Sequence, residues 1–208
     1  MQLSRPLLLA SESPRRAELL TQLGLTYTIH RPQVEEPPAA PGEDLRVWAE
    51  QTALRKARAV ATAVDGIVPT LILAADTVVV VPTIETPALP LLDGLPVTVL
   101  GKPRDVHDAR RMLQLLSGRT HTVLTALALL SLPEYELTLS SVATQVQFRA
   151  LYEQEIDDYL ASGEALDKAG AYGIQGQGAV LVAGIVGDYY TVVGLPLARL
   201  WESLSRWR

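Results

Sequence analysis

The feature that most constrains this chain is the apolar run from Leu71 to Val81, with the sequence LILAADTVVVV. Both faces of a strand with this sequence would be apolar, which is typical of a central strand covered on both sides. Helical and strand patterns alternate along the rest of the chain without an internal repeat. The sequence therefore predicts an α/β fold with a mixed, twisted sheet and flanking helices.

Length and composition predict a single domain over residues 1–208, since 48% of the residues are hydrophobic and 20% are charged. The net charge of −5 argues against a nucleic-acid-binding face, and the lack of Cys excludes disulfides and thiolate metal sites. The apolar run near the N-terminus is too short for a signal peptide or a membrane span. We therefore expect a cytoplasmic protein that binds neither nucleic acid nor a membrane.

Hydrophobic periodicity and capping residues predict the remaining elements. Strands are expected at 7–10, 26–30, 120–132 and 135–148, and helices at 14–23, 43–64, 105–116, 153–161 and 197–206. Ser13 is the expected N-cap of the first of these helices, with Pro14 at its first position, and Asp105 is expected to cap the third. Two further strands, 180–186 and 190–193, are expected to pair across Gly187-Asp188. Residues 82–100 contain four prolines and an Asp-Gly pair, which indicates an extended loop or a hairpin excursion.

The segment Ser11-Glu12-Ser13-Pro14-Arg15-Arg16 follows a predicted strand and opens a predicted helix. A helix start attracts anions because its free N–H groups and its positive dipole end point outward. Two hydroxyl groups and two guanidinium groups add donors that suit phosphate oxygens. Two interpretations stay open: a phosphate site, or an ordinary capped helix start followed by two solvated arginines.

Asp76 lies in the middle of the apolar run, with four valines directly after Thr77. A buried carboxylate must be paired, protonated or bound to a metal, because bare burial costs several kcal/mol. The alternative is that Asp76 ends the strand and caps a turn. Glu35 and Glu36, which precede a proline-rich loop, could hold a divalent cation together with Asp76 through hard oxygen ligands, although paired acids beside a turn are usually solvated.

Lysine is rare in this chain, with three Lys against 15 Arg. Lys56 falls on the small or apolar stripe of a predicted helix, and Lys102 lies in the turn Gly-Lys-Pro-Arg-Asp. Lys168 belongs to the glycine-rich segment 167–178, where Gln175 offers a donor and an acceptor for a base edge. That segment is open to two interpretations, a loop against a flat ligand or an ordinary turn.

Together, four segments resemble the Maf family of nucleoside triphosphate pyrophosphatases. They are 9–20, 75–78, 101–105 and 167–176, with the sequences LASESPRRAELL, ADTV, GKPRD and DKAGAYGIQG. The last segment is similar to the branch that hydrolyses dTTP and UTP rather than 7-methyl-GTP. The resemblance implies two lobes around a cleft, in a fold similar to that of the inosine triphosphate pyrophosphatases.

The resemblance also implies the reaction, a metal-assisted attack of water at the α-phosphorus that releases pyrophosphate. Asp76 would be the general base and would hold Mg²⁺ or Mn²⁺ together with Glu36. Specificity positions fall on Arg15, Thr77 and Gln175. Phosphate-binding positions fall on Arg16, Lys56 and Lys102, to which the helix start adds Ser11 and Ser13, while Lys168 is expected elsewhere in the cleft.

Several alternatives stay open. One is a pyrophosphatase for other non-canonical nucleotides. Another is a non-catalytic nucleotide-binding regulator, because the family is also associated with inhibition of septum formation. The oligomeric state is open as well, with a homodimer among the alternatives. The excursion at 82–100 is longer than is usual for the family, so Lys102 is aligned by its local context alone.

Overall fold

A computed structural model describes residues 2–64, 68–83 and 89–208. Eight strands are found in these ranges: β1 (Leu7–Ala10), β2 (Thr28–Ile29), β3 (Thr70–Pro82), β4 (Leu91–Leu92), β5 (Leu95–Leu100), β6 (Thr120–Leu132), β7 (Leu137–Phe148) and β8 (Val182–Val186). The α-helices of the described ranges are α1 (Pro14–Gln22), α2 (Leu45–Ala63), α3 (Val106–Leu116), α4 (Glu153–Ala161), α5 (Tyr189–Val193) and α6 (Leu197–Ser203). Among the described residues, no helix is long and apolar enough to cross a membrane.

The strands form one mixed sheet in the order β2-β1-β3-β6-β7-β8, and β5 also pairs with β3. β1 runs parallel to β2 and β3, whereas β3, β6, β7 and β8 are joined by antiparallel pairs. The apolar run lies in β3 and is buried almost throughout, because helices cover both faces of the sheet. The predicted mixed α/β fold is confirmed.

Among the described residues, three hydrophobic cores pack against the sheet. The first packs α2 on one face, against alternate β3 side chains such as Ala74 and Val78. On the other face, one core contains Leu19 of α1 and Leu200 of α6. The third core, on the same side, contains Leu113 of α3 and Ile156 of α4. Helices therefore pack against both faces of the sheet, and on one of these faces they form two separate groups.

One edge of β3 changes partner partway along the strand. Leu71–Ala74 pairs with β1, and Val79–Pro82 pairs with β5. Among the described strands, none pairs with residues 75–78 on this edge, whereas the opposite edge pairs with β6 throughout. We call residues 75–78 the β3 gap. Asp76 and Thr77 both lie in the gap, and successive residues of a strand point to opposite faces of the sheet.

Within the excursion predicted at 82–100, β4 and β5 form a hairpin that extends the sheet, and residues 84–88 lie outside the described residues. Asp93 and Gly94 form its turn with positive φ angles of 51° and 81°, as expected for a two-residue hairpin loop. Arg46 of α2 makes two hydrogen bonds with Asp93, at 2.8 and 3.1 Å. The hairpin is thereby held against the start of α2.

The prediction that residues 190–193 form a strand is wrong, because this segment is the helix α5. The Asp188 carboxylate caps the helix by accepting hydrogen bonds from the main-chain N–H and the hydroxyl of Thr191, both at 2.7 Å. β8 pairs with β7 instead, so the predicted pairing across Gly187-Asp188 is also wrong. The apolar sequence resembles a strand, but the acidic cap and Gly194, with φ 119°, set the bounds of a helix.

Candidate active site

A cleft of about 1180 Å³ lies at the β3 gap. Its walls come from the start of α1, from α2, from the β4–β5 hairpin, and from the segments around 167–175 and 192–194. Every site residue predicted from the sequence lines this cleft: Ser11, Ser13, Arg15, Arg16, Glu36, Lys56, Asp76, Thr77, Lys102, Lys168 and Gln175. Segments that are distant in the sequence therefore converge on one site, although the roles of their residues stay predictions.

Lys56 is buried between two carboxylates. Its Nζ lies 2.6 Å from Oδ1 of Asp76 and 3.0 Å from Oε1 of Glu36. The side chains of Lys56 and Asp76 are only 10% and 7% exposed, whereas that of Glu36 is 48% exposed. The interpretation of Asp76 as a turn cap is therefore wrong, because β3 continues beyond Asp76 and its carboxylate is ion-paired.

The chemistry and the proximity of the two carboxylates suit a shared Mg²⁺ or Mn²⁺ ion. Asp76 and Glu36 are hard oxygen donors brought together by one ammonium group. Within the described part of the chain, no group of three or more His, Cys, Asp or Glu residues could hold a metal by itself. Mg²⁺ is usually held by one or two carboxylates plus water and substrate phosphates, so the donor set fits an ion that binds together with substrate.

Arg16 is held in place by three acceptors on the Thr77 side of the gap. Its Nε donates to the carbonyl of Gly194 at 2.8 Å, and its two terminal nitrogens donate to Ser11 Oγ at 3.2 Å and Thr77 Oγ1 at 3.1 Å. Burial lowers the pKa of Arg16, and the charge of Asp76 acts in the opposite direction. A guanidinium stays charged even so, which makes Arg16 a pre-oriented cation beside the gap.

The N-cap of α1 is Ser13, as predicted, but its side chain makes no capping hydrogen bond. Instead, its main-chain N–H donates to Ser11 Oγ at 3.1 Å. Ser13 also lines the cleft. A ligand would therefore meet it at the positive end of the helix dipole.

Arg15 and Lys168 share one carboxylate across the cleft. Asp167 accepts from Nη1 of Arg15 at 3.2 Å and from Nζ of Lys168 at 2.6 Å. Burial alone would raise the pKa of Asp167, but the hydrogen bonds from Lys168 and Arg15 hold it below its usual value. The pair with Arg15 links the start of α1 to the glycine-rich segment that carries Gln175.

Gln175 and Lys102 are exposed at the cleft walls. Neither side chain makes a hydrogen bond or an ion pair with any of the residues that the structure describes. Their amide and ammonium groups are therefore available to a ligand. The segment 167–178 is not simply a turn exposed to solvent, because residues 167–169 and Gln175 line the cleft.

Two residues that sequence reasoning missed lie directly behind Thr77. Thr125 of β6 is fully buried, pairs with Thr77 in register, and contacts its hydroxyl at 2.9 Å. Gly194 approaches so closely that a Cβ there would lie 3.4 Å from Thr77 Oγ1. A Thr in an apolar strand and a Gly after a predicted strand are both common, so neither residue stood out in the sequence.

Comparison with known proteins gives a consistent result. The sequence profile of the family described as Maf-like protein matches residues 6–207. A dTTP/UTP pyrophosphatase of Moorella thermoacetica is 48% identical over 205 residues, which are 96% of this chain and 93% of that protein. A dTTP/UTP pyrophosphatase of Salmonella typhimurium is 48% identical over 202 residues, which are 96% of this chain and 91% of that protein.

A solved structure of a nucleoside-triphosphatase / dITP/XTP pyrophosphatase from Mycobacterium abscessus also aligns with 95% of this chain and 93% of its own. Its TM-score with this chain is 0.42, at 16% identity. The sequence relatives confirm the prediction of a nucleoside triphosphate pyrophosphatase at the level of the family. The chain belongs to the Maf-like protein family.

Proposed function

We propose that this protein hydrolyses dTTP and UTP to the nucleoside monophosphate and pyrophosphate. The observation that carries the proposal is the buried Asp76 carboxylate in the β3 gap, ion-paired at 2.6 Å with Lys56 and surrounded by cationic cleft residues. A triphosphate brings about four negative charges, which a protein of net charge −5 must neutralise locally. The names of the relatives support the choice of dTTP and UTP.

The reaction requires water to attack the α-phosphorus. The water oxygen forms a bond to that phosphorus while the bond from the phosphorus to the α–β bridging oxygen breaks. Asp76 accepts the proton that the water loses, and pyrophosphate leaves with the bridging oxygen. Lys56 holds the carboxylate in position, so the base is oriented before substrate arrives.

Cations of the cleft neutralise the charge that develops on the leaving pyrophosphate. Arg16 is fixed by three protein acceptors, whereas Lys102 is exposed and can follow the phosphates. Asp76 and Glu36 would hold Mg²⁺ or Mn²⁺ against the phosphates, and such an ion supplies further charge neutralisation. If Lys56 moved away from one of the two carboxylates, the oxygen atom that it now contacts would become available to the ion.

Base recognition is assigned to the side of the cleft that carries Thr77 and Gln175. Uracil and thymine share the O4 and N3–H edge, which pairs with one donor and one acceptor. The amide N–H of Gln175 can donate to O4, and the hydroxyl oxygen of Thr77 can accept from N3–H. A site built from paired hydrogen bonds strongly rejects a base with a different edge.

The test is a substrate panel with dTTP, UTP, CTP, ITP and 7-methyl-GTP in Mg²⁺ or Mn²⁺, in which pyrophosphate is scored against orthophosphate. We expect pyrophosphate from dTTP and UTP, and a loss of turnover of about 10²- to 10⁴-fold in Asp76→Asn. Asp108→Asn is the matched control, since its carboxylate is also 7% exposed and ion-paired, but lies outside the cleft. Wild-type-like turnover by Asp76→Asn, or orthophosphate as the product, would refute the proposal.

A further inference from the structure

A chain of hydrogen bonds behind the β3 gap has only one possible direction. Arg16 Nη2 can only donate, so Thr77 Oγ1 accepts from it at 3.1 Å. At the other end, Thr125 Oγ1 lies 2.7 Å from the main-chain carbonyl of Thr191, which can only accept. Thr125 has a single hydroxyl proton, and this contact uses it.

The contact between the two threonine hydroxyls is therefore determined. Thr77 Oγ1 and Thr125 Oγ1 are 2.9 Å apart. Because the proton of Thr125 points to Thr191, the proton between the two oxygens must come from Thr77. The hydroxyl proton of Thr77 therefore points into the sheet, toward Thr125. One lone pair of the oxygen accepts from Arg16, and the other is left for a ligand in the cleft.

The surroundings keep this direction from reversing. Thr125 is fully buried, and Thr191 is fully buried as well. The hydroxyl of Thr191 is itself directed to Asp188 at 2.7 Å, and the Asp188 carboxylate also accepts from the Thr191 N–H. A buried carbonyl that lost its donor would pay a desolvation cost, so Thr125 keeps its proton on Thr191.

We propose that Thr125 is a positioning residue for base selection, because it makes Thr77 a pure hydrogen-bond acceptor toward the cleft. The inference rests on the proposed function above, in which Thr77 faces the base. An acceptor pairs with the N3–H of uracil or thymine. N3 of cytosine carries a lone pair, so the same acceptor repels it.

The experiment compares kcat/KM for UTP and CTP in the wild type, Thr125→Val and Thr125→Ser. Valine keeps the shape of threonine but frees the Thr77 proton, which can then turn toward N3 of cytosine. We expect the UTP-to-CTP ratio to fall by about tenfold in Thr125→Val, chiefly through faster CTP hydrolysis, and to return to the wild-type value in Thr125→Ser. An unchanged ratio in Thr125→Val would overturn the inference.

Thr144→Val is the matched control. Thr144 is also a buried strand threonine, and its hydroxyl donates to the carbonyl of Asp188 at 2.9 Å, but it does not contact Thr77. Thr144→Val loses two hydrogen bonds with Asp188, because its hydroxyl also accepts from the Asp188 N–H at 2.9 Å, and Thr125→Val loses the bond to Thr191. We therefore expect both variants to lower the melting temperature. Only Thr125→Val should change the ratio, and an equal change in Thr144→Val would overturn the inference.

A second measurement on the wild type does not depend on the variants folding. The substrate 3-deaza-CTP replaces N3 of cytosine by C–H and so removes the lone pair that faces Thr77. We expect the wild type to hydrolyse 3-deaza-CTP faster than CTP, and the opposite order would overturn the inference. Equal rates on UTP and CTP in the wild type would instead refute the proposed preference for dTTP and UTP, and the inference would fall with it.

Discussion

Removal of the Lys56 ammonium should destabilise this protein more than removal of the Asp76 charge. In Lys56→Met the side chain keeps its length and its packing, but Asp76, at 7% exposure, loses its cationic partner. An uncompensated buried charge costs about 3–5 kcal/mol. For a chain of 208 residues, about 2–4 °C per kcal/mol gives a fall in melting temperature of about 6–20 °C.

Asp76→Asn should cost less because Lys56 keeps a partner. Glu36 lies 3.0 Å from its Nζ, and the amide oxygen of asparagine still accepts a hydrogen bond. We expect a loss of about 1–2 kcal/mol, which corresponds to about 2–8 °C. The double variant Lys56→Met/Asp76→Asn contains no unpaired buried charge, so it should be more stable than Lys56→Met alone.

The assay is thermal unfolding followed by circular dichroism, without nucleotide and with a chelator, because a bound cation could replace the missing ammonium. Lys102→Met is the control, since this exposed lysine of the same cleft should change stability by less than about 0.5 kcal/mol. Activity does not separate the variants, as each should lose turnover. The reasoning would be refuted if Lys56→Met were as stable as Asp76→Asn, or if the double variant gained nothing over Lys56→Met.

Two further predictions concern stability around the cleft. Burial lowers the pKa of His121 to about 4. The unfolded chain then binds this proton more strongly than the folded protein does. His121 should therefore lower the free energy of unfolding by about 3 kcal/mol between pH 7 and pH 4. In urea unfolding at a series of pH values, His121→Gln should lack this contribution to the pH dependence. Gly194→Ala should cost about 1–3 kcal/mol because of φ 119°, and should lower kcat/KM by crowding Thr77. Gly184→Ala, whose Cβ would meet open space, is its control, and equal melting temperatures would contradict the prediction.

Much of the secondary structure could be predicted because its signals are local. The helix start at Ser13-Pro14 and the cap at Asp105 depend on a few adjacent residues, and both positions agree with the structure. α5 was missed because a helix of five residues shows little periodicity, and its apolar residues match a strand equally well. Its acidic cap at Asp188 was the local signal that could have identified it.

The site was predictable to the extent that its residues are unusual in their own segments. Asp76 stands out because a charge is rare in a buried strand, and Lys56 because it lies on an apolar helix stripe. Thr125 does not stand out, because threonine is frequent in strands whatever its role. The β3 gap was not predictable at all, since it depends on where β1 ends and where β5 begins to pair.

The β3 gap has a consequence for how substrate preference can change. Asp76 and Thr77 are neighbours in sequence, but they point to opposite faces of the sheet and contact different elements. Asp76 meets α2, whereas Thr77 meets β6 and Arg16 of α1. Under the proposed function, in which Thr77 faces the base, residues that contact Thr77, apart from the phosphate-binding Arg16, can be screened for new base preferences while the α2 face is left as it is. Directed evolution toward another base would then begin at those residues.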